Sequence, residues 1–146
     1  MELNELYNQL IAEGCVRFCI EGVGGQRYDD MERLEMKAGQ WQINYYERGQ
    51  VVETLFSSPD KQEAIRFYHD YVMKIHHCHL VVFTRSLSVF NWYKDILESL
   101  DIKTMQNDIK EDHDYKYRLF VTNKDIFKVK ESFDEIPYFD EDLKKS

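Results

Sequence analysis

A chain of 146 residues carries 27 acidic against 19 basic side chains, a formal charge of −8, with 43% hydrophobic and 14% aromatic residues. That length suits one globular domain able to bury about 68–70% of its unfolded surface, and six Gly with two Pro exclude a low-complexity chain. The acidity, with no dense Lys/Arg cluster, argues against direct binding to nucleic acid or to an anionic membrane; it can steer the chain toward a basic protein partner, though negative charge more commonly just keeps a protein soluble.

In chain order, Leu3, Leu6, Tyr7, Leu10 and Ile11 follow the spacing of an amphipathic helix, with Gly14 placed to end it. Val16, Phe18 and Ile20 alternate with Arg17, Cys19 and Glu21, predicting a strand over 16–20. GVGG at 22–25 lacks the third glycine and the following helix of a dinucleotide fingerprint, because position 27 is Arg, so it reads as a hairpin turn. Met31, Leu34 and Met36 among charges continue as a strand. Trp41, Ile43 and Tyr45 share a face of the next strand, a turn falls at 47–50, and Val52, Thr54 and Phe56 extend beyond it.

Ser58-Pro59-Asp60 predicts a helix start with Ser58 as the hydroxyl cap and Pro59 as the first helical residue. Ala64, Ile65, Tyr68, Tyr71, Val72 and Ile75 form one helical stripe reaching to about His76, before a buried strand at Leu80-Val81-Val82-Phe83. Ser86 caps a second long helix bearing Val89, Phe90, Tyr93, Ile96, Leu97 and Leu100. A strand is expected over 102–109, a polar turn over 110–114, and a strand carrying Tyr115, Tyr117, Leu119 and Val121. A short helix over 124–133 follows, then Pro137 and an acidic tail. The resulting order, α-βββ-α-β-α-ββ-α, describes a single α+β domain over 1–146 with helices packed on a mostly antiparallel sheet, and it leaves open whether the acidic tail at 134–146 is mobile or packed.

His76-His77-Cys78-His79 is the most chemical-looking run. Over a helix ending at His76, His69 and His76 lie seven residues apart, about 10.5 Å, too far to share a zinc ion bound at about 2 Å. His77 and His79 on a strand would share a face at about 6.6 Å, while Cys78 points the other way. They are the only metal pair the geometry leaves, they lack an identifiable third ligand, and the run reads first as a helix-to-strand junction. The acidic pairs Asp29-Asp30 and Asp112-His113-Asp114 adjoin turns, where carboxylates are ordinarily just solvated. No catalytic constellation and no cofactor are expected. Three cysteines without a CxxC suit a reducing compartment, and the absence of a leader-like or 18-residue apolar run suits a cytoplasmic protein without a membrane span.

From 131 to 142 there are six acids and no base, interleaved with Phe133, Ile136, Tyr138 and Phe139. The aromatics can pack the segment onto the body or anchor a partner. A second acidic stretch includes Asp108, Glu111, Asp112 and Asp114. The expected partner surface is therefore Asp108, Glu111, Asp112, Asp114, Glu131, Asp134, Glu135, Tyr138 and Phe139.

The stretch NYYERGQVVETLFSSPDKQEAIRFYHDYVMKIHH, with the following βαββ segment ending in YRLFVTNKDIFKVK, resembles the small α+β immunity proteins found beside LXG-type toxins of bacterial polymorphic toxin systems. The resemblance implies a non-enzymatic antitoxin that binds the toxic domain of a cognate toxin, often a nuclease with a basic active-site groove, and blocks it. It assigns no interface residues. The competing expectations are a small metal-binding protein using His77 and His79, and a general interaction adaptor.

Overall fold

Hydrophobic periodicity resolves into two separate cores in the computed structural model, which describes residues 1–144. The chain forms two compact units, Met1–His77 and Cys78–Ser146, each built of helices on a mostly antiparallel sheet. The α+β class expected from the element order holds, and the strands divide between two sheets instead of joining in one.

In the first unit, α1 (Leu3–Ala12) buries Leu6 and Leu10 completely. Gly14, at φ +76°, lets the Gly14 and Cys15 N–H groups fold back to the Ile11 and Leu10 carbonyls at 3.0 Å each. That arrangement satisfies the helix end and drops Cys15 into the same core as Leu10. The strand expected over 16–20 shrinks to β1 (Cys19–Ile20). The reason is specific: the Val16 and Arg17 N–H groups both donate to His77 Nδ1 at 3.1 Å, so neither is available to a ladder.

β2 (Gly24–Gly25) turns back on β1, as the hairpin reading of GVGG requires. A Cβ on Gly24 would meet the Tyr7 ring at 2.6 Å, and one on Gly25, at φ +104°, would sit 2.3 Å from the Phe18 carbonyl oxygen. These glycines serve close packing, with no phosphate cradle. β3 (Met31–Lys37), β4 (Gln40–Glu47) and β5 (Gln50–Ser58) complete the sheet in the order β2-β1-β3-β4-β5.

α2 runs Lys61–Met73, shorter at both ends than the helix expected from Pro59 to about His76. Asp60, not Ser58, is the cap, accepting from the Gln62 N–H at 2.9 Å. The Ser58 hydroxyl is occupied elsewhere: it accepts from the Asp60 N–H and donates to Glu63. Ala64, Ile65, Tyr68 and Val72 of α2 pack with Leu6, Leu10, Phe18, Ile20, Leu34 and Ile43. Tyr68 is fully buried, and its hydroxyl accepts from the Cys19 N–H at 2.9 Å and donates to the Glu32 carbonyl at 2.8 Å. Burial pushes its phenol well above the ordinary range.

In the second unit, β6 (Cys78–Thr84), β7 (Met105–Gln106), β9 (Asp114–Thr122) and β10 (Tyr138–Phe139) form the sheet β10-β6-β9-β7, with β8 (Ile109–Glu111) paired to β9. α3 (Leu87–Ser99) starts at Ser86, whose hydroxyl accepts from the Val89 N–H as expected. The strand predicted over 102–109 is broken. Asp101 takes φ +61°, and the Ile102 N–H returns to the Leu97 carbonyl at 3.0 Å, so Ile102 ends α3 as an apolar plug. Only β7 and β8 remain extended. The polar turn expected over 110–114 narrows to a tight reversal between β8 and β9 in which His113 has φ +64°.

α4 (Asp125–Ser132) adds Ile126 and Val129 to a core of Val81, Val82, Phe90, Leu97, Leu119 and Val121. The acidic segment from 134 is described through residue 144, and within it β10 pairs in parallel with β6, Tyr138 opposite Val82 and Phe139 opposite Phe83. Its last two positions lie outside the described residues. Among the described residues, no helix is long and apolar enough to cross a membrane.

Removing the Tyr68 hydroxyl (Tyr68→Phe) leaves a buried amide and a buried carbonyl without their partner. Urea unfolding is expected to show a loss of about 1–3 kcal/mol; an unchanged midpoint would show that the hydroxyl does not hold β1 to β3.

Candidate functional site

The acidic residues sort into two groups according to whether the fold has already matched them. Asp140, just after β10, accepts from the Thr84 hydroxyl at 2.7 Å and the Arg85 N–H at 2.8 Å. The Arg85 guanidinium pairs with Asp114 at 2.6 Å and with Asp142. The Arg85 hydrogen bond, and after it one from Lys116, holds the Asp114 carboxyl down at about 2.

Asp108 accepts from the Tyr115 hydroxyl at 2.7 Å and from Gln106 at 2.8 Å. That bond, with burial second, pushes the Tyr115 phenol up to about 12. Glu111 meets Lys116 at 3.4 Å, and Phe139 sets its ring edge-on to Phe83 at 6.1 Å. Four of the nine expected partner positions, Asp108, Glu111, Asp114 and Phe139, are thus engaged within the unit.

The remaining positions differ. Asp112 stands exposed at the β8–β9 turn and makes no ion pair among the described residues. Glu131, Asp134 and Glu135 are exposed and make no ion pair among the described residues. Tyr138 lines an open cleft of about 390 Å³ together with Ser88, Val89, Trp92 and Tyr93. Tyr93 is its hub: its ring meets Trp92 at 4.9 Å and 90°, Phe133 at 5.3 Å and Tyr138 at 5.4 Å. Burial first, then the charges of Tyr138 and Glu135, raises the Tyr93 phenol.

Trp92 is 56% exposed, the largest apolar side chain that this unit presents to solvent. α3 buries Phe90 and Leu97 and leaves Val89, Tyr93 and Ile96 half-buried, so Trp92 falls off the apolar stripe and outward. Its ring is backed by Phe133 at 6.3 Å. Asp134 and Glu135 lie on the exposed segment that joins Phe133, packed on Trp92 and Tyr93, to Tyr138 of the cleft, and Asp95 stands one turn along α3 from Trp92. Sequence reading omitted Trp92 because it does not fit the stripe. That misfit was itself the signal.

The histidine run resolves as structure. The buried His77 ring accepts the two N–H groups at Nδ1 and meets the Val72 carbonyl with Nε2 at 2.9 Å, so the proton sits on Nε2. Both ring nitrogens are committed to backbone within the first unit. The pairing of His77 with His79 as metal ligands would have to break those bonds, and His79 lies instead on β6 opposite Val121. His69 adjoins Asp70 at 3.1 Å. Among the described residues, no three His, Cys, Asp or Glu side chains are grouped to hold a metal. Asp30, expected to be simply solvated, instead accepts from the Arg48 N–H at 2.8 Å. Burial raises the Cys15 thiol to about 11 and lifts Cys19 as well, which disfavours thiolate chemistry at either.

No family model, curated protein or solved structure matches the chain.

The Asp114 carboxyl, ordinarily near 3.8, is depressed on folding, so its contribution is fully present above that value and fades as pH falls toward 2. Denaturation midpoints measured between pH 5 and 2 should fall less steeply for Asp114→Asn than for the native chain. Parallel profiles would show that the Arg85 contact adds nothing. His77→Ala strands two amide donors and is expected to cost about 1–3 kcal/mol in the same measurement.

Proposed function

We propose that this protein is a non-enzymatic immunity protein that binds and neutralises a cognate toxin domain, with a basic-grooved nuclease as the expected class. The observation that supports this reading is the solvent-facing Trp92 ring, seated in an aromatic cleft on the unit that also carries Asp134 and Glu135, exposed carboxylates without an ion pair among the described residues. Large aromatic side chains that fill a partner's pocket supply most of the binding energy at protein interfaces, and surrounding polar groups exclude water. Unmatched acids raise the encounter rate with a basic surface and make it sensitive to salt. A nuclease groove built for phosphate is such a surface. The resemblance to toxin-associated immunity proteins points the same way. Neither a nucleic acid nor a membrane is the proposed target, and the compartment is the cytoplasm, where such a toxin would act.

Co-expression with the toxin domain encoded alongside should rescue growth and yield a copurifying complex. Within that complex, Trp92→Ala is expected to weaken binding about 10–1,000-fold, mostly through faster dissociation. Glu135→Gln with Asp134→Asn should mainly slow association and flatten its salt dependence. Asp112→Asn, at the distant turn, should leave both rates unchanged. Failure of rescue together with absence of a complex would refute the proposal.

A further inference from the structure

The cleft at Trp92 has a chemistry more particular than an apolar anchor. Trp92 and Tyr93 meet at 90° with centroids 4.9 Å apart, making a corner of two aromatic walls, and Tyr138 stands on the far side of Tyr93 at 5.4 Å. The remaining lining, Ser88 and Val89, is uncharged, so among the described residues no Lys or Arg lines the cleft, with Lys144 the basic side chain whose charge reaches Glu135 and Tyr138. Aromatic faces carry negative potential and attract cations, Trp most strongly. Asp134 and Glu135, on the segment joining Phe133 to Tyr138, add formal charge at the rim. They have no ion pair among the described residues, whereas Asp108, Asp114, Asp140 and Asp142 are all engaged by neighbours. A pocket with ring walls, a carboxylate rim and no internal cation is complementary to a cation from outside.

We infer that this cleft receives one arginine side chain of the protein partner, its guanidinium stacked on Trp92 and hydrogen-bonded to the Glu135 rim. The inference rests on the partner-binding reading above and adds the chemical identity of the residue that enters. Arginine fits better than lysine for two reasons. Its planar, weakly hydrated guanidinium can lie flat on a ring while its edge presents N–H donors to a carboxylate. The cleft is also open and about 390 Å³ in volume, which suits a side chain arriving on a loop more than a small cation needing enclosure. The exposed Leu87, one turn before Asn91 on α3 and 50% accessible, provides adjoining apolar area for the partner's flanking residues.

The test uses the full chain carrying Trp41→Phe, so that Trp92 is the sole indole, and follows the Trp92 indole N–H in NMR spectra. N-acetyl-arginine methylamide is titrated against the isosteric, uncharged N-acetyl-citrulline methylamide. The arginine probe should shift that resonance saturably, with half-saturation on the order of 10 mM as expected for one stacked ion pair. The citrulline probe should not, and Glu135→Gln should weaken the arginine response several-fold. Equal responses to both probes, or a non-saturating arginine response, would overturn the inference. If the toxin domain still binds and Trp92→Ala still weakens it, that outcome removes the arginine assignment alone. Loss of toxin binding itself would instead remove the functional reading.

Discussion

The Asp140 carboxylate, bound by the Thr84 hydroxyl and the Arg85 N–H, is the contact on which the proposed site depends. It sits where β6 ends and α3 is about to begin, and it ties the end of the chain to that point. Arg85 then draws Asp114 and Asp142 to the same spot, so two carboxylates from distant stretches share its guanidinium while Asp140 holds its backbone N–H. With the chain held there, β10 lies against β6, Tyr138 faces Tyr93, and Phe133 backs Trp92. That anchor adds to the short β10–β6 ladder and to the apolar side chains of 133–138 in keeping Tyr138 as a wall of the cleft.

Acidity therefore serves two separate ends. One part of the negative charge is consumed internally, as ion pairs and capping interactions with Arg85, Lys116 and Tyr115. Exposed pairs of this kind contribute little singly, and their value lies in fixing geometry. Another part, at Asp95, Glu131, Asp134 and Glu135, is left unmatched near an aromatic surface. The exposed pairs organise, and the unmatched acids remain available to a partner.

The first unit shows the same economy of polar groups in its interior. On the sheet, Tyr46 donates to Glu35 at 2.5 Å, Asn44 donates to Glu35 at 2.6 Å, and the Arg33 guanidinium stacks on the Tyr46 ring at 3.9 Å. All four are buried, and the network holds β3 to β4 on the face that the helices do not cover. A strand-by-strand search for alternating apolar residues identified the opposite face and passed over this one, because buried Arg, Glu, Asn and Tyr look like solvent-facing residues until their partners are known.

Sequence alone determined the elements whose cause is local. Helical periodicity at Leu6 and Leu10, at Tyr68 and Val72, and at Phe90 and Leu97 reports contacts within a turn or two of one chain segment, as does the Ser86 cap. The α+β class follows from their order. Tertiary structure decided what depends on distant partners. His77 captured the amides of Val16 and Arg17 and abolished most of a predicted strand, 60 and 61 positions away. Arg85 withdrew Asp114 and Asp142 from the surface charge, while Trp92 was turned outward beside residues 133–138. A carboxylate's neighbours are set by how the chain closes on itself, and no spacing in the sequence encodes which of many similar acids will find a guanidinium first.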